Sequence, residues 1–170
     1  MQEVIEMSTA VVYGSTTGMT EEAASKIASI LQADCLNVAE VSPEQLAGYD
    51  ALILGSSTWG AGDLQDDWDA FLPKLEGMDL KGKKVAVFGT GDHEGFADTF
   101  GLALVKLREA AAGAGATLIG EAPVEGYDSI DSEVVKDGKF VGLALDSQNQ
   151  PELTDARIEA WCGVLKSALA

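Results

Sequence analysis

The chain has 170 residues, 46% of them hydrophobic, enough for one globular domain with a full core. Its 28 acidic residues against 11 basic ones give a net charge of −17, which repels nucleic acid and anionic membranes and suits docking onto basic patches of other proteins. No apolar run reaches the ~20 residues needed to cross a bilayer, and Met1-Gln2-Glu3-Val4-Ile5-Glu6 lacks the basic residues and apolar core of a signal peptide. A cytoplasmic monomer is therefore expected. Cys35 and Cys162 stand far apart without metal-type spacing and are expected to be reduced, buried, small apolar residues.

In chain order, residues 9–13 form an apolar, β-branched run that predicts a strand. A helix follows over 21–31, with Ala23, Ala24, Ile27, Ile30 and Leu31 at helical spacing. A weaker strand is expected over 34–38 and a strong one over 51–54. The next helix starts near Gln65 and carries Trp68, Phe71, Leu72 and Leu75 inward. A strand at 84–88, a helix at 98–112 and a strand at 116–119 come next. Residues 120–138 hold Pro123, Gly126 and several acids and predict an irregular excursion before a strand-like run at 140–145. A last helix is expected over 155–169, capped by Thr154. Continuous apolar strands alternating with helices predict an α/β fold, a doubly wound five-stranded parallel sheet in a single domain, 1–170. Five strands and four or five helices suit the order 2-1-3-4-5, with ligands outside the carboxyl ends of the strands at the switch point.

Three loops converge at that end. The first, Gly14-Ser15-Thr16-Thr17-Gly18-Met19-Thr20, joins a strand to a helix N-terminus, where unpaired N–H groups and the helix dipole favour an anion. A P-loop carries Lys immediately before its Ser or Thr; here that position is Met19, so neutral donors suit one terminal phosphate better than a triphosphate with magnesium. The same residues also make an ordinary turn and helix cap. The second loop, Ser56-Ser57-Thr58-Trp59-Gly60-Ala61-Gly62-Asp63, places a Trp among glycines, where it either seeks a planar partner or folds back into the core. The third, Gly89-Thr90-Gly91-Asp92-His93-Glu94-Gly95-Phe96-Ala97-Asp98-Thr99-Phe100, supplies Phe96, which can take the opposite face of the same ring or staple the next helix. His93, the single histidine, reads as a solvated loop residue; the alternative is that its titration, near pH ~6.5 when unperturbed, makes a bound redox group pH-sensitive.

With these loops in view the chain resembles the flavodoxin family over essentially its whole length. The resemblance rests on Tyr13-Gly14-Ser15-Thr16-Thr17-Gly18, Ser57-Thr58-Trp59-Gly60, Asp66-Asp67-Trp68 and Gly89-Thr90-Gly91-Asp92. Val124-Glu125-Gly126-Tyr127-Asp128, Asp137-Gly138-Lys139-Phe140-Val141-Gly142-Leu143-Ala144-Leu145-Asp146 and Asn149-Gln150 are similar to the long-chain branch, marked by an insertion that splits the fifth strand. The resemblance implies a flavodoxin-like fold and noncovalent FMN, with the phosphate on Ser15, Thr16, Thr17, Gly18, Met19 and Thr20 and the flavin ring between Trp59 and Phe96. It implies that Thr58, beside Ser57, and Asp146 lie near the ribityl hydroxyls, and that backbone groups of Thr90, Gly91, Asp92 and Thr99 address the pyrimidine edge. The chain departs from the family at Met19, where Asn is usual, and at Phe96, where many members have Tyr.

Gly60 populates φ > 0 at little steric cost, which lets the Gly60–Ala61 carbonyl turn toward flavin N5 when the semiquinone is protonated there. Negative charge from Asp63, Asp66, Asp67, Asp92 and Glu94 would disfavour the anionic hydroquinone and make the semiquinone/hydroquinone couple strongly reducing. The implied role is a one-electron carrier between a reductase donor and an oxidoreductase acceptor. An FMN-dependent NAD(P)H or quinone oxidoreductase on the same fold needs a pocket over the flavin, and the FMN loops hold no basic cluster for a dinucleotide's phosphates. A receiver domain needs acids after the first strand and an Asp after the third; Ser15-Thr16 and Ser57-Thr58 stand there instead.

Overall fold

Three strands are apolar enough to be buried on both faces, and they form the middle of the molecule. β1 (Thr9–Gly14), β3 (Ala51–Ser56) and β4 (Lys84–Thr90) are buried at all but one or none of their positions. The computed structural model describes residues 8–14, 18–59, 63–91, 99–124, 133–146 and 149–169. β2 (Asp34–Asn37) pairs parallel with β1, β1 with β3, β3 with β4, and β4 with β5 (Leu143–Leu145). The sheet order is thus 2-1-3-4-5. Thr117–Leu118 also pairs parallel with β4, at Lys84 and Val85, on the edge that β5 occupies farther along at Phe88 to Thr90.

Helices cover both faces because each crossover between parallel strands is right-handed. α1 (Met19–Leu31) leads from β1 toward one edge and α3 (Asp66–Glu76) from β3 toward the other, so they lie on opposite faces. α1 packs against α5 (Thr154–Leu169), and α3 against α4 (Leu102–Gly113). The buried stripe of α1 is Thr20, Ala23, Ala24, Ile27, Ala28 and Leu31, a period of three and four that turns one side of the helix to the sheet. On the other face Trp68 packs edge-on to Phe71, with ring centroids 5.8 Å apart, and its Nε1–H donates to the Gly55 carbonyl at 2.5 Å. Trp161 of α5 does the equivalent for the last strands, donating from Nε1 to Gly120 O at 2.7 Å and tilting against Phe88 at 6.1 Å.

The structure corrects several sequence expectations. The fourth helix begins at Leu102 rather than at 98, because Leu102 N–H closes a turn onto Thr99 O and Gly101 sits at φ 74°. Phe100, which continues the helical pattern in sequence, instead turns into the core edge-on to Phe140, 6.3 Å away. The run at 140–145 is not one strand. Lys139–Phe140 joins an antiparallel ladder with Ala122–Pro123 and Val135–Lys136, and the chain enters the main sheet only at Leu143. Gly142 lies at the change of partner, where a Cβ would collide with the Val87 carbonyl.

Thr154 does not cap α5. A 3-10 turn at Pro151–Leu153 runs straight into the helix, and the buried Thr154 Oγ1 makes no hydrogen bond among the described residues. The short helix α2 (Pro43–Ala47) was not expected, although Ser42 Oγ accepts the Gln45 N–H at 3.2 Å and Pro43 opens the first turn. Cys35 is exposed, against expectation, because β2 is an edge strand. Cys162 is buried in α5, and burial pushes its thiol up to about 11. Among the described residues no helix is long and apolar enough to cross a membrane.

Two glycines separate backbone strain from packing room. Gly163 lies inside α5 with nothing within 4 Å of an added Cβ, so Gly163→Ala should stabilise the protein by about 0.5–1 kcal/mol through helix propensity. A Cβ at Gly89 would strike the Ser56 carbonyl across the β3–β4 ladder, so Gly89→Ala should cost about 1–3 kcal/mol. Urea unfolding of the two variants should move the midpoint in opposite directions; shifts of one sign would contradict this packing.

Candidate functional site

β1, β3 and β4 all end at the same rim, and the chain beyond each is polar or glycine-rich. At the end of β1, Gly14 has no room for a side chain, since a Cβ would meet Gln65 Oε1 and the Trp68 ring. That close approach locks the exit of β1 against the start of α3. α1 then opens on Gly18 at φ 90°, with no side chain capping it, and an added Cβ there would meet nothing within 4 Å. The first turn of a helix presents N–H groups with no intrahelical partner, and here that turn lies at the rim where β1 ends. Tyr13, the penultimate residue of β1, donates its hydroxyl to Glu21 Oε1 at 3.3 Å. Burial, reinforced by Glu21, pushes its phenol up, so it stays protonated.

The exit of β3 is tied down by hydroxyls. Ser56 Oγ donates to Ser57 O at 2.8 Å and accepts the Gln65 N–H at 3.1 Å. Gln65 Oε1 in turn accepts the N–H groups of Asp67 and Trp68, capping α3. Ser57 is 8% exposed, and its Oγ is a buried polar atom with no hydrogen-bond partner among the described residues. A group of that kind in a native fold calls for a missing partner. Thr58 Oγ1 accepts the Ala103 N–H at 3.2 Å, supplying from 45 residues away the cap that Gly101 does not give α4. The backbone of Thr58 and Trp59 turns back to pair antiparallel with Leu64 and Asp63.

At the exit of β4 the Thr90 hydroxyl lies 3.0 Å from that of Thr20, which joins this strand to the first turn of α1. Gly91 N–H donates to Leu145 O at 2.9 Å, and a Cβ on Gly91 would press within 3.2 Å of the Phe100 ring. Asp146 follows β5 and is fully buried. Its Oδ1 accepts the Asn149 N–H at 2.9 Å and its Oδ2 the Asn149 side-chain amide at 2.7 Å, so it orders the turn after the strand.

Of the residues expected at the site, the structure brings Gly18, Met19, Thr20, Ser57, Thr58, Thr90, Gly91, Thr99 and Asp146 to the ends of the parallel strands or to the elements directly joined to them. Met19 is 43% exposed there. Ser15, Thr16, Thr17, Gly60, Ala61, Asp92 and Phe96 lie outside the described residues, as do His93 and Glu94, and for Trp59 only the backbone is described. Sequence reasoning missed Gln65 and Ser56, which brace the rim. The signal for Gln65 was its place directly before an acidic first turn, Asp66-Asp67.

Among the described residues the donors here are neutral: N–H groups of α1, the Thr20 hydroxyl and the Ser57 hydroxyl. They suit a ligand rich in acceptors at one end and in hydroxyls next to it. Independently of any ligand, Thr58→Val should expose the Ala103 N–H and cost about 1 kcal/mol, the usual worth of a helix cap, while Thr58→Ser should keep most of it. Urea unfolding of the ligand-free protein reads the difference, and equal stability of the Val and Ser variants would contradict the cap.

Comparison with known proteins agrees with this geometry. The family model for flavodoxin matches residues 11–161. A flavodoxin of Trichodesmium erythraeum is 49% identical over 159 residues, covering 91% of this chain and 93% of that protein. A Picosynechococcus flavodoxin is 44% identical, covering 92% and 94%. Among solved structures, a Fusobacterium nucleatum flavodoxin bound to flavin mononucleotide superposes with a TM-score of 0.90 at 28% identity, covering 96% of this chain and 99% of that one. Sequence and overall fold agree, and the chain belongs to the flavodoxin family.

Proposed function

We propose that this protein is a low-potential one-electron carrier that holds FMN noncovalently and passes electrons between a reductase and an acceptor enzyme. The observation that carries the reading is the start of α1 at the end of β1, a helix N-terminus that opens on Gly18 at φ 90° with the Thr20 hydroxyl in its first turn. The buried Ser57 hydroxyl, without a hydrogen-bond partner among the described residues, adds a neutral donor at the exit of β3. A terminal phosphate takes the N–H groups of the first turn, and the helix dipole offsets its charge without a lysine. Met19 contributes its backbone N–H rather than a side chain.

In this reading Ser15, Thr16, Thr17, Gly18, Met19 and Thr20 hold the phosphate. Thr58 keeps a hydroxyl proton for the ribityl chain after accepting from Ala103, and Ser57 gains the partner it lacks. Trp59 and Phe96 flank the ring and keep water from it, while Gly60 with Ala61 and the backbone of Thr90, Gly91, Asp92 and Thr99 meet its polar edges. Asp146 acts by fixing the turn after β5. FMN supplies the one-electron chemistry; the protein binds, orients and shields it.

The long-chain assignment draws support from the two segments that share one edge of β4, Thr117–Leu118 and β5, with residues 119–142 between them as the insertion. Asp63 and Asp66 are exposed beside the rim, and with a net charge of −17 they suit basic docking patches on both partners. Two free cysteines fit a reducing, cytoplasmic setting, and self-repulsion fits a monomer.

Stepwise anaerobic reduction of the FMN-loaded protein tests this. Long-wavelength absorption should rise at half reduction and fall at full reduction, and transfer to a basic partner should slow as salt is added. Single-step bleaching by NAD(P)H alone would instead favour an FMN-dependent oxidoreductase.

A further inference from the structure

A pair of buried hydroxyls joins two of the rim loops. Thr20 lies in the first turn of α1 and Thr90 ends β4, and their Oγ1 atoms are 3.0 Å apart although the residues are 70 positions apart in sequence. Thr20 is 1% exposed and Thr90 8%. Each hydroxyl carries one proton and two lone pairs. Only one of the two protons can lie between the oxygens, so the other must be given to a further acceptor. The direction of the bond decides which loop receives it. If Thr20 donates, the spare proton belongs to Thr90. If Thr90 donates, it belongs to Thr20, among the first-turn N–H groups of α1. A phosphate is an acceptor only, and it would take that proton.

We propose that Thr90 is a positioning residue for the phosphate: its hydroxyl donates to Thr20 Oγ1 and thereby aims the Thr20 proton at the phosphate oxygens. This rests on the FMN reading above. The relay makes the last side chain of β4, on the strand that leads into the ring-binding loop, part of the phosphate site. Hydrogen bonds in series polarise one another, so the outer bond to a charged acceptor strengthens with the inner one in place. Without Thr90 the Thr20 hydroxyl is free to turn.

The test compares FMN with riboflavin, the same flavin without the phosphate, by fluorescence titration of the apoprotein. Thr90→Val keeps the shape and removes the donor. It should raise the FMN Kd about tenfold, the scale of one charge-assisted hydrogen bond, and raise the riboflavin Kd by a distinctly smaller factor, since the backbone of residue 90 that meets the ring in the reading above is kept. Thr90→Ser should restore the wild-type ratio. Because Thr90 acts through Thr20, the double variant Thr20→Val/Thr90→Val should bind FMN no more weakly than Thr20→Val alone.

Equal weakening of FMN and riboflavin by Thr90→Val would reduce Thr90 to a packing role and overturn the proposal, as would an unchanged FMN Kd or fully additive losses in the double variant. Near-UV circular dichroism of the apoprotein confirms folding, and Thr90→Ala serves if Thr90→Val does not fold. Wild-type protein that takes up neither flavin would overturn the FMN reading and the relay together. A wild-type preference for FMN that Thr90→Val leaves intact would overturn the relay alone.

Discussion

A parallel sheet buried on both faces leaves polar chemistry only one place to go, the rim where its strands end, and the rest of this molecule follows from that constraint. β3 has no exposed position and β4 only a half-buried first residue, so neither strand can offer a functional side chain from its middle. Every strand-to-helix crossover leaves the sheet at its carboxyl end, which also brings helix N-termini to that rim. Anion-binding capacity is thereby built into the topology before any side chain is chosen. In the proposed reading the hydroxyls and glycines of the first loop, which holds no lysine, select the kind of anion.

The described part of the rim is braced by close contacts. Gly14 lies against Gln65 and Trp68, and Gly89 against the Ser56 carbonyl. Ser56 and Gln65 link β3 to α3, Thr58 links the loop after β3 to α4, and Thr20 meets Thr90 between α1 and β4. These are polar bonds among neutral groups, which hold geometry without adding charge near the site. A carrier that must keep a redox group in one orientation through many turnovers benefits from such preorganisation of the strand ends and helices that border it. Asp63 and Asp66 are exposed beside this frame, and in the proposed reading they act on partner encounter.

Much of the architecture was legible in the chain because two-sided burial writes itself as unbroken apolar runs, as at 9–13, 51–54 and 84–88. The first and third helices were legible from their periodic stripes. What failed was local pattern overruled by distant packing. Phe100 extends a helical period in sequence, yet the ring goes to Phe140, and the turn at Gly101 takes its place. The apolar run at 140–145 looks continuous, but Gly142 fits against Val87 and divides it between two sheets. α2 is too short for a periodic signal and shows only through Ser42 and Pro43.

At the site, the loops were legible from Gly, Ser and Thr clusters after apolar runs. The partners of Thr58, Thr90 and Thr20 were not, since a bond across 45 or 70 residues leaves no trace in spacing. In the proposed reading neutral donors at the start of α1 hold the phosphate. A crystal structure of the FMN-loaded protein measures this directly. It should show the phosphate oxygens within hydrogen-bond distance of the first-turn N–H groups of α1 and of Thr20 Oγ1, with no lysine or arginine among their partners. A phosphate held by a basic side chain, or projecting into solvent away from α1, would contradict it.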